Sequence, residues 1–291
     1  MNYLSHCVIG LQGTSLQAEE CHFLKQHPPL GVILFSRNTI DAAQVRTLLD
    51  DVRKHAGNKI WASIDEEGGR INRLPFFPFN QRKTAASFGR AYQKEPQAAL
   101  QAVYDDAYRV GNALKKLGFT HNCAPVLDVF YAHAHSIIGN RAYSDHVGDV
   151  IALATACMQG YHDAGIAAIG KHYPGHGRAV LDSHIACPMV DASEKALRHD
   201  AEVFYQLIKA GLNHIMTAHI RYPALDCNRA SYSSFWLQKE LPAHGFSGTI
   251  WSDDLCMKGA GDNIHDALQQ ATLAGCDALL VCDPEVVKVL Y

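Results

Sequence analysis

Eight short apolar runs, each followed by a stretch with helical periodicity, constrain the fold of this chain more than any other feature. Runs of this length are typical of buried strands, and the intervening segments have the apolar spacing and charged faces of amphipathic helices. An eightfold strand–helix alternation predicts the α/β class and, within it, a (β/α)8 TIM barrel. The runs are 6–10, 31–36, 60–65, 120–128, 167–171, 214–219, 248–253 and 278–282, and the helical segments include 41–54, 97–117, 147–164, 194–210 and 263–274.

An open doubly wound sheet is the alternative fold. It should carry a Gly-x-Gly-x-x-Gly turn after its first strand, and Gly10-Leu-Gln-Gly13 does not supply one. No linker or change in composition divides the 291 residues. We therefore expect 1–291 to form a single catalytic barrel domain. The segment 284–291 offers barely two turns for an eighth helix, so the final helix is expected to be short or truncated.

Composition and charge exclude several function classes. The 26 basic and 29 acidic side chains give a net charge of −3, and no basic stripe marks a nucleic-acid or anionic-membrane partner. No apolar run is long enough to cross a membrane, so membrane insertion is not expected. The nine cysteines are dispersed without a Cys-x-x-Cys pair, which favours reduced, mostly buried thiols. The first ten residues lack the pattern of a signal peptide, and a cytoplasmic location is expected.

Polar residues gather where the predicted strands end. In a barrel these ends meet at one face, which is where catalytic groups are placed. A shared polar mouth is therefore expected. Its members are Asp65-Glu66-Glu67, Asp128, Lys171-His172, His219 and Asp253-Asp254.

The segment 248–260 contains the most informative pair of acids. A short apolar run stops on Asp253 and Asp254, and Gly-rich chain follows. Asp253 ends the strand and is the better-placed nucleophile. Asp254 is expected to support it by hydrogen bonding or to begin the next helix as a cap.

The segment 65–73 combines three carboxylates with a glycine pair and two arginines. The glycines allow a tight turn or a close approach to a ligand. Arg70 and Arg73 can balance or orient the acids. An exposed, salt-bridged loop is the other interpretation, but the acids follow directly on a buried-type strand, which favours a functional site.

The chain from Lys171 to Val190 has no regular pattern and is too long for an ordinary strand–helix connection. Long loops of this kind are commonly functional. Its histidines and Asp182 do not match a standard zinc spacing. An aspartate two residues before a histidine indicates instead a dyad in which Asp182 orients the imidazole of His184, although a plain surface histidine remains open.

Two further features follow the fourth run. Arg141, in a Gly-Asn-Arg context, can act as a ligand clamp because a guanidinium offers a fixed fork of donors. His133 and His135 imitate the His-x-His of metal-dependent hydrolase barrels. In those proteins the pair follows the first strand, so a metal is not expected here.

Four ordered motifs together resemble glycoside hydrolase family 3, and more narrowly its single-domain bacterial β-N-acetylglucosaminidases of the NagZ type, which act in peptidoglycan recycling. The resemblance covers nearly the whole chain. The motifs are Asp65-x-Glu-Gly-Gly-Arg70, Gly139-Asn-Arg141, Lys171-His-Tyr-Pro-Gly-His-Gly177 and Ser252-Asp-Asp-Leu255, with Gly31-Val-Ile-Leu-Phe-Ser-Arg-Asn38 as a further family-like segment.

The resemblance implies a role for each matching residue. Asp253 takes the place of the catalytic nucleophile, and His184, paired with Asp182, that of the general acid/base. The implied substrates are muropeptides of the GlcNAc-anhydroMurNAc type, the protein is expected to be a monomer, and no metal or organic cofactor is required. The implied substrate-binding residues are Asp65, Arg73, Arg141, Lys171 and His172.

Two other functions are weighed against this one. A metal-dependent amidohydrolase barrel would explain the 17 histidines, but the first-strand His-x-His is missing. A catalytically silent sugar-binding homologue would retain Arg141, Lys171 and His172 but lose the nucleophile or the dyad, and this chain has both. The sequence thus favours a retaining glycosidase that acts by double displacement through Asp253.

Overall fold

The computed structural model describes residues 3–76 and 78–290. Its main sheet has eight parallel strands, each beside the next one along the chain, and the last strand pairs with the first. A parallel bridge between Trp251 and Ala278 joins the seventh strand to the start of the eighth and completes the barrel. The strands are β1 (Cys7–Gly10), β2 (Gly31–Leu34), β3 (Trp61–Ile64), β4 (His121–Asn122), β5 (Ala167–Tyr173), β6 (His214–Thr217), β7 (Thr249–Trp251) and β8 (Leu279–Val281).

Helices cover the outside of the barrel. Polar side chains cap several of them: Asp41, Ser193 and Asn263 each accept a hydrogen bond from a main-chain N–H of the first turn. The helices are α1 (Ala18–Gln26), α2 (Ala42–Ala56), α3 (Ala85–Tyr92), α4 (Pro96–Leu117), α5 (Val147–Asp163), α6 (Glu194–Lys209), α7 (Leu241–Ala243, preceded by a π-helical turn, Phe235–Glu240), α8 (Ile264–Ala274) and α9 (Pro284–Val287), with 3-10 turns at Leu4–His6, Ser36–Asn38, Phe79–Gln81, Gly139–Arg141, Ala230–Tyr232 and Lys288–Leu290.

The predicted (β/α)8 barrel is confirmed, with two local differences. The fourth run, predicted as 120–128, is regular strand only at His121–Asn122. Pro125 has no N–H to continue the ladder, and beyond it the chain stays beside β5 through the N–H of Leu127, which donates to the Lys171 carbonyl. The fifth strand continues past 171 to Tyr173.

Alternating side chains divide the strand residues between two apolar clusters. Val8, Ile33 and Leu280 lie in the small interior cluster, whereas their strand neighbours join the large cluster that packs against the helices. Trp61 and Trp251 stack inside the barrel with ring centroids 5.4 Å apart. The interior is therefore filled, and a ligand site is left only at the ends of the strands.

Two connections at the carboxyl ends of the strands are long. The chain from β5 to α6 contains the predicted irregular loop, and the chain after β6 contains a small antiparallel hairpin, Arg221–Tyr222 with Asp226–Arg229, which the sequence did not predict. All nine cysteines are free thiols. Within the described ranges, no helix combines the length and apolar character that a membrane crossing needs.

Candidate active site

A pocket at the carboxyl ends of the barrel strands contains nearly all of the residues predicted for the site. Asp182 is the exception: it does not line the pocket but contacts His184, which does. The strands therefore converge as expected for a barrel active site. The predicted residues that line the pocket are Asp65, Arg73, Arg141, Lys171, His172, His184 and Asp253.

Asp253 is held at the mouth by the junction of β7 and β8. Ser252, directly before it, is buried, and its hydroxyl accepts a hydrogen bond from Leu280 N at 2.9 Å. Burial by itself raises the pKa of Asp253, but His172 and His219 nearby hold that pKa below its ordinary value. Asp253 is therefore anionic at neutral pH, as a nucleophile must be.

Asp254 supports this carboxylate through the main chain and does not begin a helix. Its N–H donates to Asp253 Oδ1 at 2.8 Å. Its side chain accepts from the N–H groups of Cys256 and Cys282, each at 3.0 Å, and so fastens the loop after β7 to the end of β8. Burial raises the pKa of Asp254. The pKa values of the two adjacent acids are thus shifted in opposite directions, a pattern expected of acids with different roles.

Asp182 and His184 form the predicted contact. His184 Nδ1 lies 2.7 Å from Asp182 Oδ1, and the His184 N–H donates to the same oxygen at 2.9 Å. Burial raises the pKa of Asp182, but its contacts with His184 outweigh this and hold the pKa below its usual value. The imidazole is 60% exposed and lines the pocket, so its Nε2 is free to exchange a proton with a ligand.

Glu67 links the cationic side chains of the site, a role that the sequence did not single out among the three acids of 65–73. It accepts two hydrogen bonds of 2.8 Å from the Arg141 guanidinium and lies 2.7 Å from Lys171 Nζ. Lys171 also donates to Asp65 at 2.6 Å. Burial raises the pKa of Glu67, but the two cations outweigh it and hold the pKa well below its usual range. Asp65, Glu67, Arg141 and Lys171 thus form a fixed lattice of opposite charges in the pocket wall.

Two further charged residues of this segment, Glu66 and Arg70, do not line the pocket. Glu66 is fully buried and accepts hydrogen bonds from the N–H groups of Arg73 and Leu74. Arg70 donates to the carbonyls of Ser136 and Ile137, and Glu67 and Asp182 lie close enough to stabilise its charge, as expected for a residue that balances the acids. The fork of a guanidinium can serve two adjacent carbonyls, so Arg70 joins the loop after β3 to the loop after β4.

Asp128 orients His172 from beneath the pocket. His172 Nδ1 lies 2.7 Å from Asp128 Oδ2, and Nε2 lies 3.4 Å from Arg141 Nη2. Asp128 is fully buried, and its second oxygen accepts from His176 N at 2.6 Å. The sequence placed Asp128 at a strand end but could not pair it with His172, because that pairing depends on the register between β4 and β5.

Arg73 offers an unused donor. Its guanidinium lies 3.7 Å from Asp65, and its buried Nε has no hydrogen-bond partner among the described residues. A buried donor without a partner is uncommon in proteins, and Arg73 lines the pocket, so its guanidinium is a candidate contact for a ligand oxygen.

His135 has a structural contact rather than a metal-site arrangement. Its Nδ1 accepts from Ile137 N at 3.1 Å. Residues 3–76 and 78–290 contain no group of three or more His, Cys, Asp or Glu side chains placed to hold one metal ion.

Comparison with known proteins shows the family to which the chain belongs. Residues 7–291 match the model of the glycosyl hydrolase family 3 N terminal domain. The chain belongs to glycoside hydrolase family 3. It is 37% identical over 294 residues to a beta-hexosaminidase of Mannheimia succiniciproducens, an alignment that covers 99% of this chain and 84% of that protein. A beta-hexosaminidase of Thiobacillus denitrificans is also 37% identical, with coverage of 97% and 80%.

A solved structure has a fold similar to that of this chain. NagZ from Neisseria gonorrhoeae in complex with N-trifluoroacetyl-D-glucosamine superposes with a TM-score of 0.91 and 31% identity, over 98% of this chain and 84% of that one. As a member of family 3, the chain is a glycoside hydrolase. Its charged pocket is the candidate site for that chemistry.

Proposed function

We propose that this glycoside hydrolase is a retaining β-N-acetylglucosaminidase, an exo-β-N-acetylhexosaminidase that removes terminal β-linked GlcNAc. One observation carries the proposal: an anionic Asp253 and the His184–Asp182 pair face the same pocket, whose wall is the lattice of Asp65, Glu67 and their cationic partners. The beta-hexosaminidases and the NagZ structure to which the chain is similar support the choice of sugar.

The reaction proceeds by double displacement. In the first step Asp253 attacks the anomeric carbon, the bond to the leaving oxygen breaks, and protonated His184 gives that oxygen its proton. In the second step neutral His184 takes a proton from water, the water oxygen attacks the anomeric carbon, and the bond to Asp253 breaks. The β configuration is retained because two inversions cancel.

A histidine can replace the usual second carboxyl group because an imidazole gives and takes protons near neutral pH without a large shift of its pKa. Asp182 stabilises the imidazolium and fixes which nitrogen faces the pocket, since it occupies Nδ1.

The remaining predicted residues hold the sugar. Asp65 and Lys171 form an acceptor–donor pair suited to adjacent hydroxyls, and the free Nε of Arg73 suits a carbonyl or hydroxyl oxygen. Arg141 and His172, fixed by Glu67 and Asp128, complete the frame. Rigid support of this kind lowers the entropy lost when the sugar binds.

We further propose the biological setting that the similarity to NagZ implies. The substrates are muropeptides of the GlcNAc-anhydroMurNAc type, released during peptidoglycan recycling in the cytoplasm, and the enzyme acts as a monomer. The scheme above requires no metal or organic cofactor.

Two aryl glycosides test the proposed sugar specificity. The p-nitrophenyl β-N-acetylglucosaminide should be cleaved with a kcat/KM at least about 100-fold above that of the β-glucoside, because a site that hydrogen-bonds the acetamido group leaves polar groups unpaired when that group is absent. Equal values for the two would assign the enzyme to another specificity within family 3.

A further inference from the structure

The loop that bears the proposed acid/base is anchored at both ends. On one side the Ala179 carbonyl accepts from His135 N at 2.8 Å. On the other, Arg221 N donates to the Pro188 carbonyl at 3.0 Å, and Val190 N donates to the Arg221 carbonyl at 2.9 Å. The segment 180–187 between these anchors contains both members of the dyad.

Most of this segment has little packing. Val180, Leu181 and Ile185 are 57%, 52% and 75% exposed, values unusual for large apolar side chains. The His184 ring is also mostly exposed. Apolar burial therefore does little to fix the position of the dyad, and specific contacts have to do so.

Ser183 makes those contacts. It is only 2% exposed, although it lies between the two members of the dyad. Its hydroxyl is 3.1 Å from His176 Nε2, and its carbonyl accepts from Gly259 N at 2.9 Å. Among the residues that the structure describes, the other hydrogen bonds that leave 180–187 are weak thiol contacts of Cys187, with the His219 carbonyl at 3.7 Å and with the adjacent Pro188 carbonyl at 3.8 Å.

His176 is a rigid support for Ser183. Its main-chain N–H donates to Asp128 at 2.6 Å, and its ring lies edge-on to His172 with centroids 5.6 Å apart. Burial, with His172 nearby, lowers the pKa of His176 to about 4, so the ring is neutral at neutral pH. Its Nδ1 has no partner within the described chain, so the contact of Nε2 with Ser183 is the one hydrogen bond that the ring makes there.

Gly259 allows the second contact because it has no side chain. A Cβ atom at this position would lie 2.5 Å from the Ser183 carbonyl oxygen, 3.1 Å from His219 Cβ and 3.3 Å from the Ala186 carbonyl oxygen. Its backbone is not in the left-handed region, so only the close approach, not the conformation, calls for glycine. Gly259 lies on the loop that follows β7 and carries Asp253.

We propose that Ser183 and Gly259 form a latch that docks the loop of His184 onto the loop of Asp253. The proposal rests on the role of His184 in the proposed function. Both are positioning residues: Ser183 lines the pocket, but its hydroxyl and carbonyl are engaged by His176 and Gly259. Together the two residues present the proton donor and the nucleophile to one glycosidic bond at the same time. Opening of the latch withdraws the donor and leaves the nucleophile in place.

Because an open latch withdraws the proton donor but not the nucleophile, its effect on the rate should depend on the leaving group. A nitrophenolate departs without protonation, whereas the sugar alcohol of a disaccharide does not. Loss of the latch should therefore slow cleavage of a GlcNAc-containing disaccharide more than that of a 2,4-dinitrophenyl glycoside. A variant that had merely lost structural integrity would slow both equally.

Four variants test the latch, each measured for kcat/KM on the disaccharide and on the dinitrophenyl glycoside. Ser183→Ala removes one hydrogen bond and should lower the disaccharide-to-aryl ratio about fivefold. His184→Ala removes the proton donor and should lower the ratio on the order of 100-fold. Gly259→Ala displaces the docked loop and should lower the ratio toward that of His184→Ala. Gly148→Ala is the matched control, since a Cβ there meets nothing within 4 Å, and its ratio should equal that of the wild type.

The outcomes separate the latch from the proposed function. The latch is rejected if His184→Ala lowers the ratio while Ser183→Ala and folded Gly259→Ala leave it unchanged. If His184→Ala itself leaves the ratio unchanged, the assignment of the acid/base fails and the latch fails with it. If Gly259→Ala does not fold, as circular dichroism would show, Ser183→Ala alone decides.

Discussion

At the scale of single residues, the site depends on acids that differ in role although they are neighbours in sequence. Glu66 and Glu67 both follow β3, yet one is buried under the loop and the other joins Arg141 to Lys171. The sequence places both at the mouth of the barrel but cannot distinguish them, because alternate residues point to different sides and the exact end of the strand decides which side is the pocket.

Replacement of Glu67 by Gln should weaken substrate binding strongly. The change removes the carboxylate that two buried cations share, which costs about 3 kcal/mol or more. It loosens the Arg141 guanidinium, whereas Lys171 keeps its bond to Asp65. We expect KM for the aryl N-acetylglucosaminide to rise at least tenfold, together with a lower thermal midpoint. Glu194→Gln is the control, because Glu194 forms an exposed pair with Arg198. Similar effects in the two variants would show that the buried lattice has no special role.

Asp253→Asn should abolish turnover while folding and sugar binding persist, since the change is nearly isosteric and removes only nucleophilicity. Asp254→Asn should cost less, because an amide oxygen can still accept from the N–H groups of Cys256 and Cys282. The two variants are compared by kcat and by binding of N-acetylglucosamine. A dead Asp254 variant beside an active Asp253 variant would reverse the assignment.

At the scale of elements, the strand–helix alternation could be predicted because each element has its own periodicity. The barrel, the polar mouth and the long loop after β5 all followed from local patterns. Contacts between distant segments did not: Asp128 with His172 and Ser183 with Gly259 require the register of β4, β5 and β7. The hairpin 221–229 was missed for a similar reason, since its two-residue first strand, Arg221–Tyr222, is too short for a periodic signal.

The two halves of the loop after β5 should differ in the rate at which their amides exchange hydrogen. Amides of 180–187 should exchange rapidly in the free enzyme and become protected when N-acetylglucosamine is bound, because few contacts hold them. Arg178, which pairs with Asp200 at 2.6 Å and stacks on Tyr131, anchors the preceding residues. Amides of 172–179 should therefore be protected with and without sugar. Equal protection of the two stretches in the free enzyme would contradict a mobile dyad segment.

At the scale of the whole molecule, the proposed active site lies at one end of the barrel and a cluster of packed aromatic and imidazole rings lies at the other. The amino-terminal end is closed by His121, His214 and the stacked tryptophans, with the two imidazole centroids 4.9 Å apart. Trp251 Nε1 donates to His214 Nδ1 at 3.3 Å, a bond that requires an unprotonated nitrogen. Conservative changes at this end should alter the stability of the protein without changing its reaction.

The histidines at this end should make the fold sensitive to acid. Burial, with His214 nearby, lowers the pKa of His121 to about 3, and burial lowers that of His214 to about 4. The two histidines therefore contribute fully to the free energy of unfolding above the unfolded-state pKa of about 6.5. This contribution is lost as the pH falls toward 4, because the unfolded chain then binds more protons than the folded one.

Urea unfolding at pH 7 and pH 5 measures this effect. The wild type should lose about 2 kcal/mol or more over that interval, and His214→Gln should lose less. His146→Gln is the control, as that ring is 74% exposed. An identical pH dependence in all three proteins would assign the acid sensitivity to other groups.

The central claim is that Asp253 forms a covalent bond to the sugar, and mass spectrometry of the trapped enzyme tests it most directly. A fluorinated N-acetylglucosaminyl donor with a dinitrophenyl leaving group should form the glycosyl-enzyme faster than water removes it. We predict one sugar adduct per chain, located after peptic digestion on Asp253 and absent from Asp253→Asn. A chain that turns the donor over without any adduct, or that carries the sugar on another residue, would contradict the account.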